Sequence, residues 1–302
     1  RELSEHEDAL LGQVLDGRWI IDSKLGEGGM GSVYLGRQKS VNRKVAIKTL
    51  KPELVNSSEF VDRFFREAQM ATTINHPNCV TILDFGQTQD NLLFLAMEYL
   101  AGEDLGDLIR ETGALSETEA CALLAQVAKA LVEAHDKGIV HRDLKPDNIW
   151  VRTLSDGERQ AKVLDFGIAK VMAGGSDSGQ DLTQTGMTMG TPLYMAPEQI
   201  MGKEIDFRVD LYSLGCILHQ LLTGVHPYDA PDRLGGLMKH IKGAPPVLPP
   251  TLTDGAEPSQ DLVALHDALL RKKRQHRPDS TALVARVLSG ISRGDSMDAS
   301  AL

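Results

Sequence analysis

Cysteine is scarce: Cys79, Cys121 and Cys216 are the only three in 302 residues, far apart and with no C-x-x-C spacing. That excludes a disulfide framework and a paired-thiol metal or redox site, and it reads as reduced thiols buried as small apolar groups in a cytoplasmic protein. Long apolar runs are missing too. None approaches the ~20 residues of a membrane helix, and no signal peptide opens the chain. The start at Arg1 instead of Met reads as a fragment, so a membrane anchor elsewhere in the parent protein stays open. Positive charge is in deficit, with 32 Lys and Arg against 42 Asp and Glu and a net charge of −10, which argues against a nucleic-acid partner. No internal repeat is present. What remains, 42% hydrophobic and 25% charged, is ordinary globular composition with length enough for a sizeable core.

The first fifteen or so residues are polar and acidic apart from Ala9-Leu10-Leu11, and residues 1–18 read as an extension. Strand patterns follow at Trp19-Ile20-Ile21, Ser32-Val33-Tyr34-Leu35 and Val45-Ala46-Ile47. Over residues 58–74 the period changes: Phe60, Phe64, Ala68 and Ala71 recur at helical spacing among Arg and Glu, which predicts an amphipathic helix. Two further strands are expected around Val80–Phe85 and Leu92–Tyr99. Past Gly102 the chain turns mostly helical. Ser116 with Glu119 three residues later signals a helix start, and Gly138 ends that helix. Segments 149–152 and 161–164 flank Ser155-Asp156-Gly157 as a hairpin. Residues 171–190 hold no Lys or Arg and read as a mobile loop, helices resume near Asp206, and residues 291–302 read as a frayed tail. The expectation is an α+β, bilobal chain: a small β-rich lobe over about 19–100 with one helix, and a larger helical lobe over about 103–290.

Five strings carry chemistry. Gly26-Glu27-Gly28-Gly29-Met30-Gly31-Ser32-Val33 fits G-x-G-x-x-G-x-V, in which glycines let backbone N–H groups approach phosphate oxygens; strands on both sides disfavour a dinucleotide site. Val45-Ala46-Ile47-Lys48 ends a buried strand in a lysine that needs an anionic partner, and Glu67 on the amphipathic helix suits an ion pair aiming Lys48 at phosphates. In Val140-His141-Arg142-Asp143-Leu144-Lys145-Pro146-Asp147-Asn148, one turn groups a carboxylate to orient a hydroxyl, a lysine to neutralise a phosphoryl group and an amide oxygen for Mg²⁺. Asp165-Phe166-Gly167 follows an apolar strand, with Asp165 placed to bind Mg²⁺. Ala196-Pro197-Glu198 closes the loop segment. Their order and separations make coincidence remote.

On these strings the chain resembles the eukaryotic-like protein kinase superfamily across about residues 19–290. G-M-G-S-V-Y-L-G, H-P-N-C-V, M-E-Y-L and G-T-P-L-Y-M-A-P-E-Q are similar to those of bacterial serine/threonine kinases. The resemblance implies ATP with Mg²⁺, or Mn²⁺ in its place, and protein substrates with Ser/Thr acceptors, the acceptor class resting on Lys145 and on Thr191 in Gly190-Thr191-Pro192. It further implies backbone bonds from Glu98 and Leu100 to adenine, Met97 as gatekeeper, and Leu25, Val33 and Ala46 above the ring. Glu198 would pair with Arg277, Asp210 would brace the catalytic loop, and a homodimer through the small lobe is one arrangement it allows. The basic run 271–277, which by composition also fits a nuclear or nucleic-acid patch, becomes the approach to a structural arginine. Pro245–Pro250, compositionally an SH3-type ligand, becomes an inter-helix loop.

One position departs from the pattern. Trp150 stands where the family usually places Leu or Met as the adenine floor, which reads as a pocket re-contoured around an indole, with an occluded pocket as the severer alternative. Thr183 and Thr185, then Thr188, resemble the autophosphorylation sites of bacterial relatives, with Arg142 beside Asp143 as the group a loop phosphate would order. Two other classes stay in view: a nucleotide-binding pseudokinase scaffold, although Lys48, Asp143 and Asp165 are all present, and a small-molecule kinase, which would lack Ala196-Pro197-Glu198.

Overall fold

The computed structural model describes residues 8–55, 57–166 and 193–296. The chain divides into two compact units, residues 1–73 with 80–101 and residues 74–79 with 102–302.

The smaller unit is built on a six-stranded antiparallel sheet in the order β1-β2-β3-β4-β6-β5. Its strands are β1 (Val14–Leu15), β2 (Trp19–Glu27), β3 (Gly31–Gln38), β4 (Arg43–Leu50), β5 (Ile82–Gln87) and β6 (Leu93–Glu98). Strand alternation gathers Trp19, Ile21, Tyr34, Val45, Ile47, Phe94 and Ala96 into one core with Leu15. Residues 8–18 of the expected extension therefore belong to the fold. Leu15 is 3% exposed, and the Asp16-Gly17 pair, at φ 46° and 67°, turns β1 back onto β2 with Leu15 opposite Trp19. Helix α1 (Ser58–Thr72) starts at Ser57, whose hydroxyl accepts from the Phe60 amide, and buries Phe60, Phe64, Glu67, Ala68 and Ala71. Phe65 of α1 meets Phe85 of β5 edge-on at 5.8 Å.

The larger unit carries a small sheet, β7 (Glu103–Asp104), β8 (Ile149–Thr153) and β9 (Arg159–Val163), with helices α2 (Leu105–Thr112), α3 (Glu117–Asp136), α4 (Pro197–Ile200), α5 (Arg208–Thr223), α6 (Arg233–Lys242), α7 (Gln260–Leu269) and α8 (Thr281–Ile291). Helix α3 opens with a full capping box between Ser116 and Glu119, and Gly138 follows its end at φ 73°. Helix α5 is the axis of the unit. Leu211, Tyr212, Leu214, Ile217, Leu218 and Leu221 are all fully buried, and with Asp210, Ser213 and His219 also buried the helix is enclosed around its whole circumference. At Gly215 the neighbouring layer comes so near that a Cβ would stand 2.8 Å from Leu269 of α7. Among the described residues, no helix is long and apolar enough to cross a membrane.

Candidate active site

In the smaller unit, the glycine string is the tip of the β2–β3 hairpin. Gly26 pairs with Val33 and Glu27 with Ser32, and Gly28 donates to Gly31 O at 2.8 Å. Lys51, just past β4, donates its amide to Met30 O at 3.0 Å. Gly31 has no room for a side chain: a Cβ there would lie 1.7 Å from Thr49 O. Lys48 sits on β4 between Val33 and Leu95, and Ala46 between Leu35 and Met97. Glu67 is buried on α1, while Leu25 is exposed on β2. Glu98 ends β6, its amide donating to Thr81 O at 3.0 Å and its carboxylate accepting from the Thr81 amide at 2.8 Å; Leu100 follows.

The larger unit holds the second group. Lys145 Nζ lies 2.9 Å from Asp143 Oδ2, and Asn148 Nδ2 donates to the Asp143 carbonyl at 2.7 Å and to Oδ2 at 3.2 Å. The turn between them is a single 3₁₀ turn, Pro146–Asn148, with proline at its first position, where a missing N–H costs nothing. His141 is held at both ring nitrogens. Nε2–H donates to Leu164 O at 2.7 Å, Nδ1 accepts from the Asp143 amide at 3.3 Å, and the ring meets Phe166 edge-on at 5.0 Å. Asn148 also receives the Leu164 amide on its carbonyl at 2.9 Å. Arg142 and Asp165 both occupy the left-handed region, at φ 68° and 60°, where residues other than glycine are strained unless their surroundings hold them.

Beneath this loop lies Asp210, in the first turn of α5 and fully buried. Its oxygens accept the amides of His141 at 2.8 Å and Arg142 at 2.9 Å, and His135 Nε2–H donates to it at 2.8 Å. Burial alone would raise its pKa. The His135 bond and the backbone amides outweigh that, and the carboxyl is held below its usual value. His135 was not singled out in the sequence, nor was Thr281, whose hydroxyl lies 2.9 Å from His135 Nδ1. The available signal is chemical: a carboxylate buried in a helix as enclosed as α5 requires donors from elsewhere.

Glu198, on the short helix α4, and Arg277 are both buried and meet fork to fork at 2.6 and 2.8 Å. Arg277 also donates to the carbonyls of Arg271, Arg208 and Lys272. With every donor committed inside the protein, it is unsuited to surface recognition of a nucleic acid. Glu198→Ala would leave a buried guanidinium without its counter-ion, and about 3 kcal/mol or more of stability should be lost. Urea unfolding of the two proteins, compared by midpoint at equal slope, measures it. Gln199 completes the local frame, its amide donating to Arg142 O at 2.9 Å.

Trp150 lies on β8, opposite Asp104 and Lys162. Its indole has its neighbour Gly102 close by: at φ 124°, a Cβ on Gly102 would come within 2.2 Å of Val151 O and 3.1 Å of Trp150 Nε1. Gly167, Thr183, Thr185, Thr188 and Thr191 lie outside the described residues.

Comparison with known proteins gives the same answer from another side. The protein kinase domain profile matches residues 19–288. The chain belongs to the protein kinase family. It is 43% identical over 244 residues to the serine/threonine-protein kinase pkn3 of Myxococcus xanthus, covering 81% of this chain and 44% of that one. Against the serine/threonine-protein kinase PknA of Mycobacterium tuberculosis the identity is 39%, covering 80% and 55%. The chain thus spans about half or less of the curated relatives' length. Among solved structures, the PknI kinase domain of M. tuberculosis superposes with a TM-score of 0.68 at 27% identity, covering 93% of this chain and 98% of that one. The fold is the protein kinase fold.

Proposed function

We propose that this domain, residues 19–290, transfers the γ-phosphoryl group of ATP to serine or threonine hydroxyls of proteins, with Asp143 as the catalytic carboxylate. The observation that carries the assignment is the Asp143–Lys145–Asn148 turn, with a 2.9 Å ion pair at its centre and its leading amides fixed on a buried carboxylate. Asp143 accepts the acceptor hydroxyl's proton and holds the oxygen in line, and Lys145 neutralises charge on the transferring group. Asn148 spends its Nδ2 on Asp143, leaving Oδ1 as a donor atom. With the Asp165 carboxylate it makes an all-oxygen set that suits Mg²⁺, or Mn²⁺, which when bound offsets phosphate charge. Lys48, oriented by Glu67, holds the α- and β-phosphates under the Gly26–Gly31 turn. Backbone groups of Glu98 and Leu100 meet adenine, with Met97, Leu25, Val33 and Ala46 lining the ring.

The purified domain with Mg²⁺ and γ-labelled ATP is expected to label itself on Thr183, Thr185 or Thr188, as phosphopeptide mapping would show. Modification of Ser176 or Ser178 alone would overturn that ranking. Nucleotide binding without any transfer, to itself or to added proteins, would favour a scaffold instead.

A further inference from the structure

Residues 8–18 precede the matched kinase profile, yet they are built into the sheet of the smaller unit. Gly12 donates to Ile21 O at 2.9 Å, Ile21 donates to Gln13 O at 3.0 Å, and Leu10 packs against the core that holds Leu15. The segment runs antiparallel to β2, so its early residues reach toward the glycine turn. At Asp8, the carboxylate accepts the Tyr34 hydroxyl at 2.9 Å and stands 3.6 Å from Lys24 Nζ. Lys24 and Tyr34 are partners across β2 and β3. One carboxylate therefore joins both strands of the glycine hairpin at a single register position.

That position matters because β2 is irregular on both sides of it, with register shifts between Ile21 and Ser23 and between Lys24 and Gly26. A bulged strand loses ladder bonds and bends, and here the bend directs the Gly26–Gly31 turn. The connection continues outward: Lys24 Nζ binds Glu27 at 2.7 Å, and Glu27 reaches Lys51, just past β4, at 3.3 Å. Exposed ion pairs of this kind contribute little individually. The Tyr34 bond differs, being charge-assisted and anchored in a ring that is 3% exposed. Partial burial pulls the Asp8 carboxyl up, but the Leu10 amide, the Tyr34 hydroxyl and Lys24 together hold it below its usual value, so it is ionised at neutral pH.

We infer that residues 8–18 form a strap and that Asp8 is a positioning residue, fixing the pose of the glycine hairpin through Tyr34 and Lys24. Its bearing on the reaction rests on the hairpin being the phosphate-binding element proposed above. Asp8 touches no reacting atom. It acts by lowering the conformational freedom that the turn must otherwise give up when phosphates bind.

The test combines two readouts on wild type, Asp8→Ala, Asp8→Glu, Tyr34→Phe and the Asp8→Ala/Tyr34→Phe double variant. In the nucleotide-free protein, Asp8→Ala should speed amide hydrogen exchange in residues 24–34 by about tenfold, the scale of one lost charge-assisted bond, and leave β6 amides unchanged. In kinetics it should raise KM for ATP about threefold to tenfold with kcat within about twofold. Tyr34→Phe should add little in the Asp8→Ala background, and Asp8→Glu should restore part of both effects. Unchanged hairpin exchange overturns the strap, as does faster exchange spread evenly over the sheet, additive single effects, or unchanged KM in an active enzyme. The exchange readout stands even if no ATP binding is found, so failure of the phosphate-site assignment would be seen separately from failure of the strap.

Discussion

Asp143→Asn is expected to lower kcat about a thousandfold, the middle of the range for losing a positioned proton acceptor, while the affinity for ATP stays within about threefold. The substitution is nearly isosteric, and the contacts around it explain why the loop should survive. Asn148 holds the Asp143 carbonyl, a backbone group the mutation does not touch, and Lys145 keeps an oxygen to bind. The amides of His141 and Arg142 remain on Asp210. What disappears is an acceptor for the hydroxyl proton, and a thousandfold corresponds to about 4 kcal/mol of transition-state stabilisation. Single-turnover transfer and direct nucleotide titration on both proteins separate the two quantities. An equal loss in both would mean that Asp143 is structural; a loss of only a few-fold would mean that it orients the acceptor without taking its proton.

The second large effect concerns acid. Three histidines of the larger unit sit in its core and a fourth is half-buried beside them: His219 and His266 with ring nitrogens 3.0 Å apart, His240 with Nδ1 3.0 Å from the Tyr212 hydroxyl, and the half-buried His226 at 5.7 Å from His240, ring to ring. Burial pushes His219 and His226 down to about 4 and His240 to about 3, and lowers His266 as well. Around them stand Tyr228, Cys216, Arg277 and Lys272, whose ammonium lies 3.8 Å from the Tyr228 ring centroid, with Asp229 and Asp267 at the edge. The folded state keeps these imidazoles neutral, whereas the unfolded chain protonates them below about pH 6.5. Folded values lie below unfolded ones, so stability is full above pH 6.5 and falls as pH drops toward 4. Each histidine costs about 1.4 kcal/mol per pH unit in that window. For His219, His226 and His240 together, the fall from pH 6.5 to 5 is about 5 kcal/mol, comparable to the whole stability of an ordinary domain. Urea melts followed by circular dichroism at steps between pH 7 and 5 should show uptake of about three protons on unfolding. In a His226→Gln/His240→Gln variant the slope should drop by about two protons, whatever its stability at pH 7; an unchanged slope would remove the cluster as the cause.

The chemistry-bearing strings were legible in the sequence because each is local. Gly26 to Val33, Val45 to Lys48 and His141 to Asn148 need only their own spacing and the strand or turn around them. Helix starts were legible for the same reason, as at Ser116 and Glu119. What escaped notice depends on contacts between distant residues. His135 meets Asp210 and Thr281 across 75 and 146 positions, and the buried histidines are scattered over residues 219–266. The strap escaped for a different reason. Residues 8–18 are polar on average, and β1 is only two residues long, too short for alternation to register. Leu15 is a lone signal, and only the Asp16-Gly17 turn hints that it folds back.

Asp210 ties the catalytic turn to α5, and α5 is the most thoroughly enclosed helix of the larger unit. A connecting segment usually has its own thermal life, independent of the interior. Here the segment is hung from the interior by two amides, so its positional spread can be no smaller and no larger than that of the core allows. Substitutions in the packing around Leu214, Gly215 or Leu218, far from any substrate, should therefore register as imprecise catalysis well before they register as melting. In this domain, the quality of the oil-filled middle and the sharpness of the chemistry are one property measured in two ways.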